Sequence, residues 1–298
     1  MAFWIVTDVC GDLPTHYVQK QKNLKLVPMS YQVDGVVQKI DPLDPNQEET
    51  ARGFYQKLNE GSHASTFQVA QQDWLDALTP LCADGQDILL LAFSSGLSST
   101  CESGFAAIQE LQGKYPERKL LAVDTQSASL GHGLFVHHVL ALRDSGKNIE
   151  ECYQYAQDLA PKLIHWFTVN DLHFLRRGGR VSTTSAYLGS ILKIKPVLNV
   201  DENGKLIPRA KVQGRKRSLN ALFEKVRDYA FEPEKQIVFI SHGDCYEDAN
   251  WLAQKLKAEL HISDVMISSI GPIIGCHSGP GTVAIFFLGK DDAGRKAL

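Results

Sequence analysis

The chain has 298 residues, 44% of them apolar, and a net charge of −3, a composition ordinary for a globular protein of one or two domains with a substantial core. Its longest apolar run falls far short of the roughly 18 residues a membrane span needs, and MAFWIVTDV has no basic n-region and breaks at Asp8, so it reads as no signal peptide. Six cysteines (Cys10, Cys82, Cys101, Cys152, Cys245 and Cys276) without a CxxC pair fit reduced thiols in a cytoplasmic protein better than a disulfide framework or a zinc site.

The first half alternates strands and helices. FWIVTD (3–8), DILLLAF (87–93) and KLLAVD (119–124) are short continuous apolar runs, as buried parallel strands are. Helical patterns lie near 48–58, 72–83, 99–112 and 129–145. Ligands of open α/β sheets sit outside the carboxyl ends of the strands, so Asp8, SSGLSST (94–100) and TQSAS (125–129) are expected along one edge. After a break near 163–170, residues 194–212 read as a hairpin with Asn203-Gly204 at its turn. An amphipathic helix carries Leu219, Leu222, Phe223, Val226, Tyr229 and Ala230. QIVFISHG (236–243), a helix around 248–260, DVMISSIG (264–271) and TVAIFFLG (282–289) complete a mixed sheet with helices on one side. The fold class is therefore α/β in two parts: an N-terminal parallel-sheet domain (1–165) and a C-terminal mixed-sheet domain (166–298).

Charge is unevenly spread. Residues 172–223 hold eleven basic side chains, Arg215, Lys216 and Arg217 consecutively, against two acids, so this segment is +9 and the rest −12. Such a segment suits a phosphate, nucleic acid or an acidic protein, or is a solvated face balanced by acids elsewhere. Aromatics are sparse within it, which weakens the nucleic-acid reading. LRRGGRVS (175–182) places Gly-Gly beside Arg180, a turn able to bring backbone and guanidinium close to a ligand. The apolar YLGSILKIKP (187–196) either lines a cavity or fills the core.

In SSGLSST the hydroxyls either cap the next helix or present donors to an anion at its N-terminus. Gly96-Leu97-Ser98-Ser99-Thr100 lacks the last glycine of the GxSxG nucleophile elbow. GHGLFV (131–136) misses the third glycine of a dinucleotide fingerprint, and there is no P-loop, HExxH or EF-hand pattern. His277, in GCHSGPG, sits among small residues and has no metal-ligand spacing.

Eight segments in order resemble the DegV family of bacterial fatty-acid-binding proteins: IVTDVCGDLP near the start, STFQVA (65–70), FSSGLSSTCESG (93–104), VDTQSASLGHGLFV (123–136), LHFLRRGGRVS (172–182), the residues at 191–198, KVQGRKRS (211–218) and HSGPG (277–281). The resemblance implies a two-domain α/β carrier that holds one long-chain fatty acid. The acyl chain would lie in a buried tunnel and the carboxylate near the domain interface. Matched residue by residue, it places carboxylate-binding roles on Thr66 and Ser98 and a supporting head-group network on His277 and Arg180. It further implies a separate kinase that phosphorylates the bound carboxyl for phospholipid synthesis; the basic run Arg215, Lys216 and Arg217 reads, by its charge, as a docking surface for such an acidic partner. It implies no cofactor or metal, no nucleic acid, no catalytic residue in the chain itself and at most transient membrane contact. The alternative is a serine-dependent hydrolase or transferase using Ser98 and His277. Four positions depart from the family pattern: Phe67 stands for serine, Val69 for proline, Ser99 for glycine and Gln213 for arginine.

Overall fold

The computed structural model describes residues 3–181 and 194–296, which form three sheets. Most of the apolar segment at 187–196 therefore lies outside the described residues. The first sheet is wholly parallel, in the order β2 (Leu24–Val27), β1 (Trp4–Asp8), β6 (Ile88–Ala92), β7 (Leu120–Asp124). All five residues of β6, ILLLA, are buried, as expected of a central strand covered on both faces. The helices Gln47–Asn59, Gln71–Ala83, Thr100–Lys114 and Leu130–Asp144 fall where the apolar periodicity places them.

The second sheet is mixed: β10 (Leu206–Gln213), β9 (Ile194–Val200), β8 (Leu163–Thr168), β13 (Val283–Leu288), β11 (Ile237–His242), β12 (Asp264–Ser269). The β9–β10 hairpin turns through Asn203-Gly204, with Gly204 at φ 70°. β8 runs through the stretch that reads from sequence as the break between halves. Helices Arg215–Tyr229 and Tyr246–Leu260 cover one face of this sheet with an aliphatic and aromatic core. The opposite face is not bare. Helix Leu130–Asp144, nearly all apolar along its first two turns, lies between the two large sheets and packs on both.

A third, small antiparallel sheet is formed by β4 (Val36–Lys39), β3 (Ser30–Val33) and β5 (Ala64–Phe67). It carries STFQVA to the rim of the space between the large sheets. The expected edge is realised there: Asp8 accepts from the Phe93 amide (3.0 Å), and Asp124 accepts from the Ser95 hydroxyl (2.5 Å). Cys10, Cys82, Cys101, Cys152 and Cys276 are buried, Cys245 is half-buried, and all six thiols are free.

Candidate functional site

Between the parallel sheet and the mixed sheet lies a cavity of about 450 Å³, within the range of small-molecule sites. Its wall alternates strictly by strand geometry. On β8, His165 and Phe167 face it while Trp166 points to the helices on the other side; on β13, Ala284 and Phe286 face it in register with them. Side chains two apart share a face, so one period-two pattern lines the cavity and its alternate builds the core behind. Cys10, Met29, Phe93, Leu97, Ile270 and Ile273 supply the opposite apolar wall.

Polar groups gather at the rim, where Gln68, Ser95 and Ser99 are exposed. Thr66, at mid-strand on β5, turns inward toward His277, and its Oγ1 lies 2.9 Å from His277 Nε2. His277 occupies the last turn of helix Pro272–Ser278, which ends at Gly279 with φ 75°, a left-handed conformation that favours glycine. Gly178 permits the approach of the GGR turn, since a Cβ there would collide with His277 Nδ1. That nitrogen is buried and has no hydrogen-bond partner among the described residues, and neither has the Ser278 hydroxyl beside it. Burial, then the charges of Arg180 and Arg177, push His277 down from its ordinary value to about 4. The imidazole is neutral at pH 7, in a positive field.

Arg180 reaches the same rim. Its Nε donates to the Leu97 carbonyl at 3.1 Å and its Nη1 to Gly178 O at 2.5 Å. Ser98, next to Leu97, shares a hydrogen bond with Thr100 Oγ1 (2.9 Å) and accepts from the Thr100 amide (3.2 Å). Thr100 in turn accepts from the Val69 amide at 3.3 Å, which ties the serine loop to the segment after β5. Thr66, Ser98, His277 and Arg180, far apart in sequence, thus stand in one cavity wall. Ser98 and His277 are not paired: each has its own partner, Thr100 and Thr66.

Arg215, Lys216 and Arg217 lie elsewhere. They open helix Arg215–Tyr229 at the edge of a shallow surface recess shared with Gln213, Trp251 and Lys255. Arg215 pairs with Asp248 at 2.7 Å. The departures from the family pattern fall in four places. Phe67 points outward, opposite in phase to Thr66, and is 45% exposed. Val69 is buried, Ser99 lies on the rim and Gln213 in the recess.

Sequence reading missed Asp12, Ser129 and His165. Ser129, in the cavity wall, donates to Asp12 (2.5 Å) and shares a hydrogen bond with Ser241 (2.9 Å). Burial raises Asp12 to about 7 despite the hydrogen bonds from Ser129 and the Gly271 amide. Their signal was slight: Asp12 lies within GDLP and Ser129 ends TQSAS, but neither carries a spacing that names a partner. Among the described residues no group of His, Cys, Asp and Glu is arranged to hold a metal ion, and no helix is long and apolar enough to cross a membrane.

A family model described as "Uncharacterised protein, DegV family" matches residues 2–290. A DegV domain-containing protein of Clostridium perfringens is 42% identical over 287 residues, covering 96% of this chain and 97% of that protein. Among solved structures, a DegV family protein from Thermus thermophilus, described for its fatty acid binding, superposes with a TM-score of 0.85 at 26% identity, covering 97% of this chain and 100% of that one. The Streptococcus pneumoniae fatty acid kinase B3 protein, loaded with linoleic acid, superposes with a TM-score of 0.83 over 97% of this chain and 99% of that one. At 19% identity this last likeness is one of fold.

Proposed function

The chain belongs to the DegV family, and from that premise we propose that it binds one long-chain fatty acid in the cavity between the two large sheets, carboxylate at the rim and acyl chain inward. The observation that carries this reading is the cavity's lining: a largely apolar wall built by Met29, Phe93, Phe167, Ile273, Ala284 and Phe286, which also holds the Thr66 and Ser98 hydroxyls, a neutral His277 and Arg180. Thr66 and Ser98 hydroxyls donate to the carboxylate. His277 orients the Thr66 hydroxyl through their hydrogen bond, and Arg180 supplies the positive field. Burial is the main cause of the low His277 value, and an anion there offsets the smaller part that comes from the charges of Arg180 and Arg177. Burying about fourteen methylenes at roughly 0.8 kcal/mol each contributes on the order of 11 kcal/mol before ordering costs. The tail therefore supplies most of the affinity and the rim sets the direction.

In this reading the chain is a carrier that uses no cofactor or metal, and a separate kinase phosphorylates the bound carboxyl, as the name of the pneumococcal fatty acid kinase B3 protein suggests for that relative in fold. The recess at Arg215, Lys216 and Arg217 is the face offered to an acidic surface of that kinase. The serine-hydrolase alternative is weaker, because Ser98 and His277 each bond to another residue and a histidine held at about 4 is a poor base at pH 7.

Mass spectrometry of an organic extract of the purified protein is the direct test: a stoichiometric long-chain fatty acid is expected, and none after added palmitate or oleate rejects the reading. For the partner, acyl-phosphate formation with a purified fatty acid kinase should fall when Arg215, Lys216 and Arg217 are changed together to glutamate. Unchanged turnover would remove the docking assignment.

A further inference from the structure

The loop that carries Ser98 is shaped from the opposite sheet. Ser94 opens it two residues after β6 and is fully buried. Its carbonyl accepts from the Leu97 amide at 3.1 Å and from the Ser98 amide at 3.2 Å, which closes the turn and fixes where Ser98 stands. Its hydroxyl works outward: Oγ donates to the Gly204 carbonyl at 2.9 Å and accepts from the Gly96 amide at 3.2 Å. Gly204 belongs to the tip of the β9–β10 hairpin, on the mixed sheet, whereas Ser94 follows a strand of the parallel one. Asp201 holds the tip in shape, its Oδ1 accepting from the amides of Asn203 (2.9 Å) and Lys205 (2.8 Å). Gly204 is buried while Glu202, Asn203 and Lys205 around it are exposed, because Ser94 covers it: a Cβ at Gly204 would collide with Ser94 Oγ.

Gly96 sets how closely the tip and the loop meet. A Cβ there would lie 2.5 Å from the Asn203 carbonyl oxygen and 2.7 Å from the carbonyl carbon and oxygen of Gly204. These obstacles are backbone, so no side chain can rotate away from them. The φ of Gly96 lies outside the left-handed region, so the loop's own conformation does not call for a glycine; the contact does.

We propose that the tip of the β9–β10 hairpin is a clasp that sets the position of the Ser98 hydroxyl, with Ser94 and Gly96 as positioning residues. The inference rests on reading the rim as the carboxylate's site. It adds that Ser98 holds a head group only while the two large sheets stand at their present separation. A hydroxyl hydrogen bond spans about 2.5–3.0 Å, a window of about half an ångström. Ordinary contacts between carbon atoms begin near about 3.5 Å, so a methyl group at Gly96 parts the tip from the loop by about 1 Å. Ser98, two residues on and hydrogen-bonded within the same turn, moves with Gly96 and leaves that window. The Leu97 carbonyl, which accepts from Arg180 at 3.1 Å, is displaced by the same shift. Val200 and Leu206, on the two strands beside the tip, line the cavity, so any loss of tail contacts has to be measured separately.

Competition binding with palmitate and hexadecanol, each displacing a fluorescent fatty acid, separates head from tail, since the two share a chain length and differ in the carboxylate. Ser98→Ala should cost palmitate about tenfold. Gly96→Ala should cost palmitate about as much and hexadecanol less than about twofold. The decisive measurement is the double variant: where Gly96 acts through Ser98, adding Gly96→Ala to Ser98→Ala costs palmitate less than about twofold further. Ser94→Ala removes a hydroxyl without adding bulk. It should cost palmitate about threefold alone and nothing beyond Ser98→Ala, and it gives the answer if Gly96→Ala does not fold. Losses that multiply in the double variants overturn the proposal, as does an equal loss of palmitate and hexadecanol, which marks a merely structural role. If the wild-type protein binds no palmitate, or Ser98→Ala costs nothing, the reading of the rim falls and takes this inference with it. Palmitate binding that depends on Ser98 but ignores Gly96 and Ser94 sinks this inference alone.

Discussion

The rim and the inner wall of the cavity treat polar groups in opposite ways. At the rim, Thr66, Ser98 and Arg180 have hydrogen bonds, and the unsatisfied atoms, His277 Nδ1 and Ser278 Oγ, sit beside a cluster of donors. At the inner wall, His165 stands alone among Phe167, Ala284 and Phe286. In the proposed carrier the two ends have different tasks: the rim orients a charged head by many weak contacts, and the interior supplies affinity through apolar area. The largest effect should therefore come from obstructing the interior. Ala284 is a small residue between the rim and Phe286, on the cavity face. Ala284→Phe fills the passage, and lipid carried through purification should drop at least a hundredfold by mass spectrometry while the far-UV circular dichroism spectrum stays that of the wild type. Full occupancy in that variant would place the chain elsewhere.

Removing the rim should cost less. Thr66→Ala with Ser98→Ala deletes two donors at a rim where water can take their place, each contributing about 1–1.5 kcal/mol net. Affinity for palmitate should fall tenfold to a few hundredfold in a fluorescence titration, with stoichiometry kept. An unchanged affinity would reject the assignment of the carboxylate to these hydroxyls.

How far this contrast was visible in the sequence depends on the physical signal behind each part. Continuous apolar runs announced β1, β6 and β13, because strands buried on both faces have no polar alternation to obscure them. The small sheet was missed although it carried a sign: Asp34-Gly35, both with positive φ, joins β3 and β4 as a two-residue hairpin turn. Val36 and Val37, 63% and 59% exposed, broke the expected burial pattern there. β8, LIHWFT, falls in the stretch at 163–170 that reads from sequence as the break between the halves. Thr66 and His277 are 211 residues apart, and no periodicity brings them together; only the family resemblance did. His165 had no signal at all, since a single histidine in an apolar strand looks the same whether its nitrogens are paired or not.

A gentler probe of the rim is pH. His277 ordinarily titrates near 6.5 and is held at about 4 in the fold. Between those values the unfolded chain binds a proton that the folded protein refuses, so this residue's contribution to stability is intact above about 6.5 and is lost as pH falls toward 4. The loss approaches on the order of 3 kcal/mol at the acid end. Urea titrations from pH 7.5 to 4 should show a steeper decline for the wild type than for His277→Gln. Added palmitate should shallow the wild-type slope, because a carboxylate beside the ring favours its protonated form. Parallel curves for the two proteins would mean that His277 is as solvated as an ordinary histidine.

The smallest effects are expected away from both ends, in the basic recess, and that smallness is informative. Arg215 and Asp248 form a part-exposed pair at 2.7 Å, and such pairs contribute about 0–1 kcal/mol. Three basic residues at the first turn of helix Arg215–Tyr229 oppose its dipole, at a few tenths of a kcal/mol each when exposed. Changing Lys216 and Arg217 to glutamate should therefore leave stability equal or slightly improved, by less than about 1 kcal/mol. Palmitate affinity should stay within twofold, because neither residue lines the cavity. A larger fall in affinity, seen in the same fluorescence titration, would couple the recess to the lipid site and end the separation of binding from docking on which the carrier reading depends.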